Sequence, residues 1–277
     1  MPPFTYVPMQ ILDSVSAALA AAQQAKNQPI TYVPKEKSYN INISGDNGFK
    51  VSDIKQGNLS DCWLLSSLAG VAHTNPLFLQ DHIKPLSNGS GWSVKLYDKE
   101  GEEFNVEVLQ NDLRMIINPN FSTGDLWVKI YEIAFQTYYT EQHINEFSIP
   151  KPFLTNLDWD YAENALPLIT GKKSYIVTIV DEYLNVANSG KYIGVTTTSE
   201  IFKSSSGIKV IKDHAYSILG FDKNTNTVIL NNPWGENKGR SKKENARLAG
   251  EFTLTLEEFK KHFSYVTVSD TPALICK

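Results

Sequence analysis

Of the two cysteines in the chain, one has neighbours that suggest chemistry. Cys62 follows Gln56-Gly57-Asn58-Leu59-Ser60-Asp61 and precedes Trp63 and an apolar run reaching Ala72. Ser60 and Asp61 are helix-capping types, so a buried helix is expected to begin at the thiol. A thiol at that end feels the positive pole of the helix, and an imidazolium beside it would lower its pKa far enough for thiolate to exist at neutral pH. Such a thiolate is a nucleophile. Gln56 can turn its carboxamide toward the same point, so that its N–H and the backbone N–H of Cys62 both face a developing oxyanion. A lone cysteine on an apolar helix is ordinarily a packed core thiol. Gln56 and Trp63, flanking it, favour the reactive reading.

A nucleophile of this kind needs a base. His214 opens the apolar segment Ala215 to Phe221, and Asn232 follows the segment Thr227 to Asn231, with polar residues 222–226 between them as a turn. In an antiparallel hairpin centred near Lys223, position 214 falls opposite 232. The Asn232 oxygen could then accept one ring N–H of His214, fixing the tautomer and presenting the other nitrogen to the thiol. Trp234, in Asn232-Pro233-Trp234-Gly235, could cover that bond from water. The other histidines, His73, His82, His143 and His262, show no spacing with acids or cysteines that suggests zinc, and read as surface or partly buried residues.

The elements that must hold these groups change character along the chain. Residues 11–25 are alanine-rich and read as a helix, and 1–45 is taken as an N-terminal extension. In 46–155 the pattern predicts the helix from Cys62, a hairpin of 92–97 with 104–109, and a helix from Leu126 to Tyr139. In 156–277 it predicts strands at 174–180, 191–197, 215–221, 227–231 and 251–256, the last leading into a short helix. A helical first part followed by a β second part predicts an α+β fold. The totals exclude several classes. A net charge of −4 gives no basic excess for nucleic acid or anionic lipid, and neither is expected as a partner. Two cysteines, Cys62 and Cys276, make a structural disulfide improbable. With no signal peptide and no membrane-spanning segment expected, a cytoplasmic location follows, although a non-standard export route would leave no mark on these residues.

Taken together, these blocks resemble the calpain family of papain-like cysteine proteases over residues 44–265. Gln56 to Trp63 with Leu64-Leu65 is similar to the family's cysteine motif, and Trp127 through Glu132 with Ala134 to its tryptophan and glutamate helix. Ala165-Leu166 with Leu168 to Gly171 resembles the opening of its second lobe. His214 to Ile218 and Asn232 to Gly235 resemble the histidine and asparagine motifs, and Gly250-Glu251-Phe252, Glu258-Phe259 and His262-Phe263 the closing strand and helix. The resemblance implies two lobes, 46–155 and 156–277, with an active site between them that cuts protein or peptide substrates through a thioester.

Departures from the family pattern fall at the cleft. Ser60 and Asp213 replace glycines, a Gly-Gly pair is replaced around Asn156 to Asp160, and Asp213 is expected to raise the His214 pKa. The chemistry needs no cofactor. The resemblance implies one Ca²⁺ in the first lobe, at Asp46 and Gly48 through carbonyls and at Asp53 and Asp125 through carboxylates, the alternative being a polar loop with unrelated aspartates. A second ion in the other lobe is not expected, because Lys238 and Ala249 replace acids and only Glu251 remains. No regulatory domain is expected within the chain, which ends at Lys277. Two other functions fit the same residues: acyl transfer or amidase chemistry at a Cys-His-Asn site, and a weakly active cleft that binds peptide.

Overall fold

The computed structural model describes residues 48–110, 120–144, 157–178 and 180–272, with side chains of the long helix described to Thr140. The expected helix at 11–25, Asp46 and Cys276 lie outside the described residues. Helix α1 (Cys62–Thr74) begins at the cysteine, as its capping types and apolar run predict. Trp63, Leu64, Leu65, Leu68, Ala69, Val71 and Ala72 are all buried, so α1 runs through the core and has no solvent face along most of its length. Asn75 ends it and caps α2 (Pro76–Asp81), its side-chain oxygen accepting the Phe78 N–H, with proline at the first position of the new helix. Strands β1 (Ile83–Pro85), β2 (Gly91–Tyr97) and β3 (Glu103–Leu109) form an antiparallel sheet in that order. Helix α3 (Leu126–Ile144) runs past the predicted Tyr139, and α4 (Ala162–Thr170) follows, with Gly171 in the left-handed conformation at its end.

The remaining residues build a six-stranded antiparallel sheet. In chain order its region contains β4 (Ser174–Val177), α5 (Val180–Leu184), β5 (Tyr192–Thr198), β6 (Phe202–Lys203), β7 (Lys209–Val210), β8 (His214–Asp222) and β9 (Thr227–Asn231). These are followed by α6 (Lys242–Leu248), β10 (Glu251–Thr255), α7 (Leu256–His262) and β11 (Val266–Asp270). The sheet order is β10-β9-β8-β5-β11-β4, and β6 pairs with β7 apart from it. Helices together with antiparallel sheets make the α+β class. The strand predicted over 174–180 stops at Val177, because a helix starts at Val180. Helix α6 is opened by a reciprocal capping box between Ser241 and Glu244.

Strand β8 is central and buried on both faces, as its continuous apolar run requires. Tyr216 and Ile218 point into a core with Phe252, Phe259 and Phe263. The opposite face carries Ala215 and Ser217, and α1 lies against it. Ser66 Oγ donates to Ala215 O at 2.9 Å, and Ser217 Oγ donates to Ser66 O at 2.9 Å. Close approach is possible because Gly70 faces β5: a methyl group there would lie 2.6 Å from Ile193 Cγ2. The helix that starts at the cysteine is thereby fastened to the strand that starts at the histidine.

Candidate active site

His214 and Asn232 meet as the sequence indicates, though not in the expected register. The turn lies further along, Asp222 pairs with Thr227, and the ladder shifts between Ile218 and Gly220 before Ser217 pairs with Asn231. Asn232 is therefore not directly opposite His214. The bulge adds a residue to β8, and imidazole and carboxamide meet beyond the last ladder pair. His214 Nε2 lies 2.9 Å from Asn232 Oδ1. The carboxamide cannot flip, since its Nδ2 donates to Glu236 O at 2.9 Å and its Oδ1 also accepts the Trp234 N–H at 3.1 Å. An oxygen so fixed can only accept, so Nε2 carries the proton and Nδ1 keeps its lone pair. Both residues are buried. Trp234 lies against the imidazole with ring centroids 4.7 Å apart, and Lys238 Nζ sits 5.2 Å over the indole.

Cys62 is the first residue of α1 and is half-buried. Burial pushes its thiol up to about 11, the neighbouring Asp61 adds to this, and the N–H groups of Ala215, Trp63 and Cys62 itself act against it. The expected lowering by the helix end is thus outweighed by desolvation. Burial also lowers His214 to about 4, the Asn232 bond opposing it only in part. The expected rise from Asp213 does not occur, because the Asp213 side chain is 51% exposed and pairs with Lys212 at 3.5 Å. Thiol and imidazole are therefore both neutral at rest.

The Gln56 backbone N–H donates to Pro233 O at 2.8 Å, bringing the residue beside the Asn232 turn. Its Nε2 donates to Leu59 O at 2.7 Å, which uses one amide hydrogen and leaves the other. Asp61 does not cap α1 with its side chain. The carboxyl turns inward and is fully buried beside Gln56 and Glu132, a residue of α3 that is also fully buried. Glu132 had no assigned role from the sequence, although a glutamate inside the apolar run from Leu126 to Phe135 was a visible signal.

A cleft of about 400 Å³ opens beside Cys62, lined by Ser60, Trp159, Thr197, Asp213 and Tyr265 among others. Two residues bordering the cleft have the left-handed backbone that favours glycine: φ is 64° at Trp159 and 51° at Asp213. His82, expected at the surface or partly buried, is fully buried, with Nδ1 2.7 Å from Phe78 O and Nε2 2.9 Å from Tyr97 Oη. His262 lines the cleft, its Nδ1 2.6 Å from Glu200 Oε2.

Of the residues proposed for calcium, Asp53 and Asp125 are neighbours. The Asp125 N–H donates to Asp53 O at 2.9 Å, and burial together with the Asp53 charge raises the Asp125 carboxyl. Asp53 Oδ2 is engaged by Trp127 Nε1 and Lys50 N, at 2.9 and 2.8 Å. Two hard carboxylates on neighbouring residues suit a calcium ion in chemistry. Among the described residues, no group of three His, Cys, Asp or Glu side chains is placed to hold a metal.

A model of the calpain family cysteine proteases matches residues 13–243, beginning well before residue 44, where the resemblance read from the motifs starts. The calpain-like protease palB/RIM13 of Debaryomyces hansenii is 23% identical over 80% of this chain and 28% of that protein. The calpain-type cysteine protease DEK1 of Arabidopsis thaliana is 24% identical over 78% of this chain and 11% of that protein. The chain therefore spans less than a third of the length of these relatives. No helix among the described residues is long and apolar enough to cross a membrane.

Proposed function

The chain belongs to the calpain family of cysteine proteases, and from that premise we propose that it cuts peptide bonds in proteins, with Cys62 as nucleophile, His214 as base and Asn232 as orienter. The observation that carries this reading is the fixed His214 to Asn232 bond at 2.9 Å, which reserves Nδ1 for the thiol. The helical part carrying Cys62 and the sheet carrying His214 are the two lobes of a papain-like arrangement, with the substrate in the cleft between them.

Nδ1 of His214 takes the thiol proton, and the sulfur attacks the scissile carbonyl carbon. The resulting oxyanion receives the Cys62 N–H and the free Gln56 N–H. The imidazolium then gives its proton to the leaving amine, and the C–N bond breaks to leave a thioester. Water, deprotonated by the same nitrogen, hydrolyses it. Burial works against both the thiolate and the imidazolium, so the charged pair is formed at a cost. That cost also favours a second reading, a cleft that binds peptide with little turnover. Incubating the wild type and Cys62→Ala with a peptide library, and reading cleavage by mass spectrometry, separates the two. Cysteine-dependent cleavage supports the protease, whereas equal binding by both proteins without products supports the peptide-binding cleft.

Regulation by one calcium ion is part of the proposal. Gly48 and Asp125, with the unengaged oxygen of Asp53, would hold it, and the ion would supply positive charge between two neighbouring carboxylates. The support is the mutual proximity of Asp53 and Asp125. Titration calorimetry of wild type and Asp125→Asn measures it directly, and absence of calcium heat from the wild type removes it.

A further inference from the structure

Behind the nucleophile lies a pair of acids that the mechanism above does not use. Asp61 and Glu132 are both fully buried. Both Asp61 oxygens and Gln56 Oε1 are buried without a well-formed hydrogen bond among the described residues. Glu132 is different: its two oxygens share the Ser122 N–H at 2.9 and 3.0 Å. The Asp61 carboxyl interacts with both the Glu132 carboxyl and the Gln56 carboxamide. The charged groups acting on the pair are the Asp158 carboxylate, which accepts the Ser60 N–H at 2.8 Å, and Lys129, which acts on Glu132. Among the described residues the cation acting on the pair is Lys129, on the Glu132 side. Two ionised carboxylates side by side at a buried site would cost far more than retaining a proton.

We propose that Asp61 and Glu132 are positioning residues that share a proton, carried by Asp61 and donated to Glu132, and that this keeps the oxyanion donor Gln56 free to act. Gln56 has two amide hydrogens, and Leu59 O already takes one. An ionised Asp61 would draw the other into a charge-assisted bond, away from the oxyanion. It would also place beside the sulfur a negative charge that raises the thiol. A neutral Asp61 does neither. Burial raises Asp61 to about 7 and Glu132 well above its usual range, in keeping with one proton retained by the pair, and the Ser122 N–H shared by both Glu132 oxygens is what places that proton on Asp61.

The kinetic consequence rests on the protease reading, but the proton itself does not, and the test separates them. In the inactive Cys62→Ala protein at neutral pH, infrared spectroscopy should show the C=O stretch of a protonated buried carboxyl. Adding Asp61→Asn or Glu132→Gln should remove or shift it. In the active protein, Asp61→Ala should lower kcat by roughly 10- to 100-fold with KM little changed, since an oxyanion donor acts in the transition state. Asp61→Asn cannot ionise but can donate to Glu132. It should recover much of that loss and should move the alkaline fall of kcat to higher pH. Absence of the band overturns the shared proton. A band with Asn as damaging as Ala, and an unmoved alkaline limb, overturns the positioning role. A wild type that cuts nothing leaves the infrared result standing and removes the protease reading.

Discussion

The two corners of the site are finished differently. At the base corner every polar atom of Asn232 has a partner, and His214 is held by one of them under Trp234. At the nucleophile corner Gln56 Oε1 and both Asp61 oxygens are buried without a well-formed hydrogen bond among the described residues. A satisfied network keeps one geometry, whereas a half-satisfied one depends on where a proton sits. The proposed base is therefore set by the fold, whereas the geometry at the proposed nucleophile and oxyanion donor depends on where a proton sits.

The most severe way to break the contrast is to remove a reacting group at either corner. Cys62→Ala and His214→Ala should each eliminate measurable peptide hydrolysis, while Asn232→Ala, which releases the imidazole but leaves it, should retain a reduced rate. Substantial hydrolysis by purified Cys62→Ala would sink the mechanism. Next in size, Gln56→Ala should lower kcat by about 10²-fold and leave KM nearly unchanged in steady-state assays. An effect confined to KM would reassign Gln56 to substrate binding.

Stability should sharpen the contrast, because pH acts on the two corners in opposite senses. An unfolded imidazole takes a proton near its ordinary pKa, whereas folded His214 resists one until about 4, so stability falls as pH drops through that window. The acid pair runs the other way: folded Asp61 and Glu132 together keep a proton that the unfolded chain releases, so stability falls as pH rises above the usual carboxyl range. Urea unfolding across pH should show His214→Gln flattening the acid side and the double change Asp61→Asn, Glu132→Gln flattening the alkaline side. The smallest effect belongs to the seam between the corners. Ser66→Ala and Ser217→Ala should each cost about 1 kcal/mol of unfolding free energy, a typical net value for one hydrogen bond.

The base corner was legible because its signals are local. Thr227 to Asn231 is a strand bounded by polar turns, and its ends were read without error. The register was not, because a bulge beside Leu219 leaves the apolar pattern of a strand buried on both faces unchanged. At the nucleophile corner the helix start was legible from Ser60, Asp61 and the apolar run. Its electrostatics were not, because Glu132 comes from a helix about seventy positions away and only the folded chain sets it against Asp61. Strand β11 escaped notice for a similar reason: Val266 to Asp270 follows a short helix and finds its place only between β5 and β4. Helix α4 was hidden by Pro167 in its interior.

Trp159, held with φ at 64° on the rim of the cleft, has an optical consequence. The chain has five tryptophans; Trp63, Trp92 and Trp127 are buried and Trp234 is partly covered, while Trp159 is 72% exposed. A water-borne quencher such as iodide should reach this indole first, and a peptide seated in the cleft should screen it. Its emission would then report occupancy even in the Cys62→Ala protein, where nothing is cut.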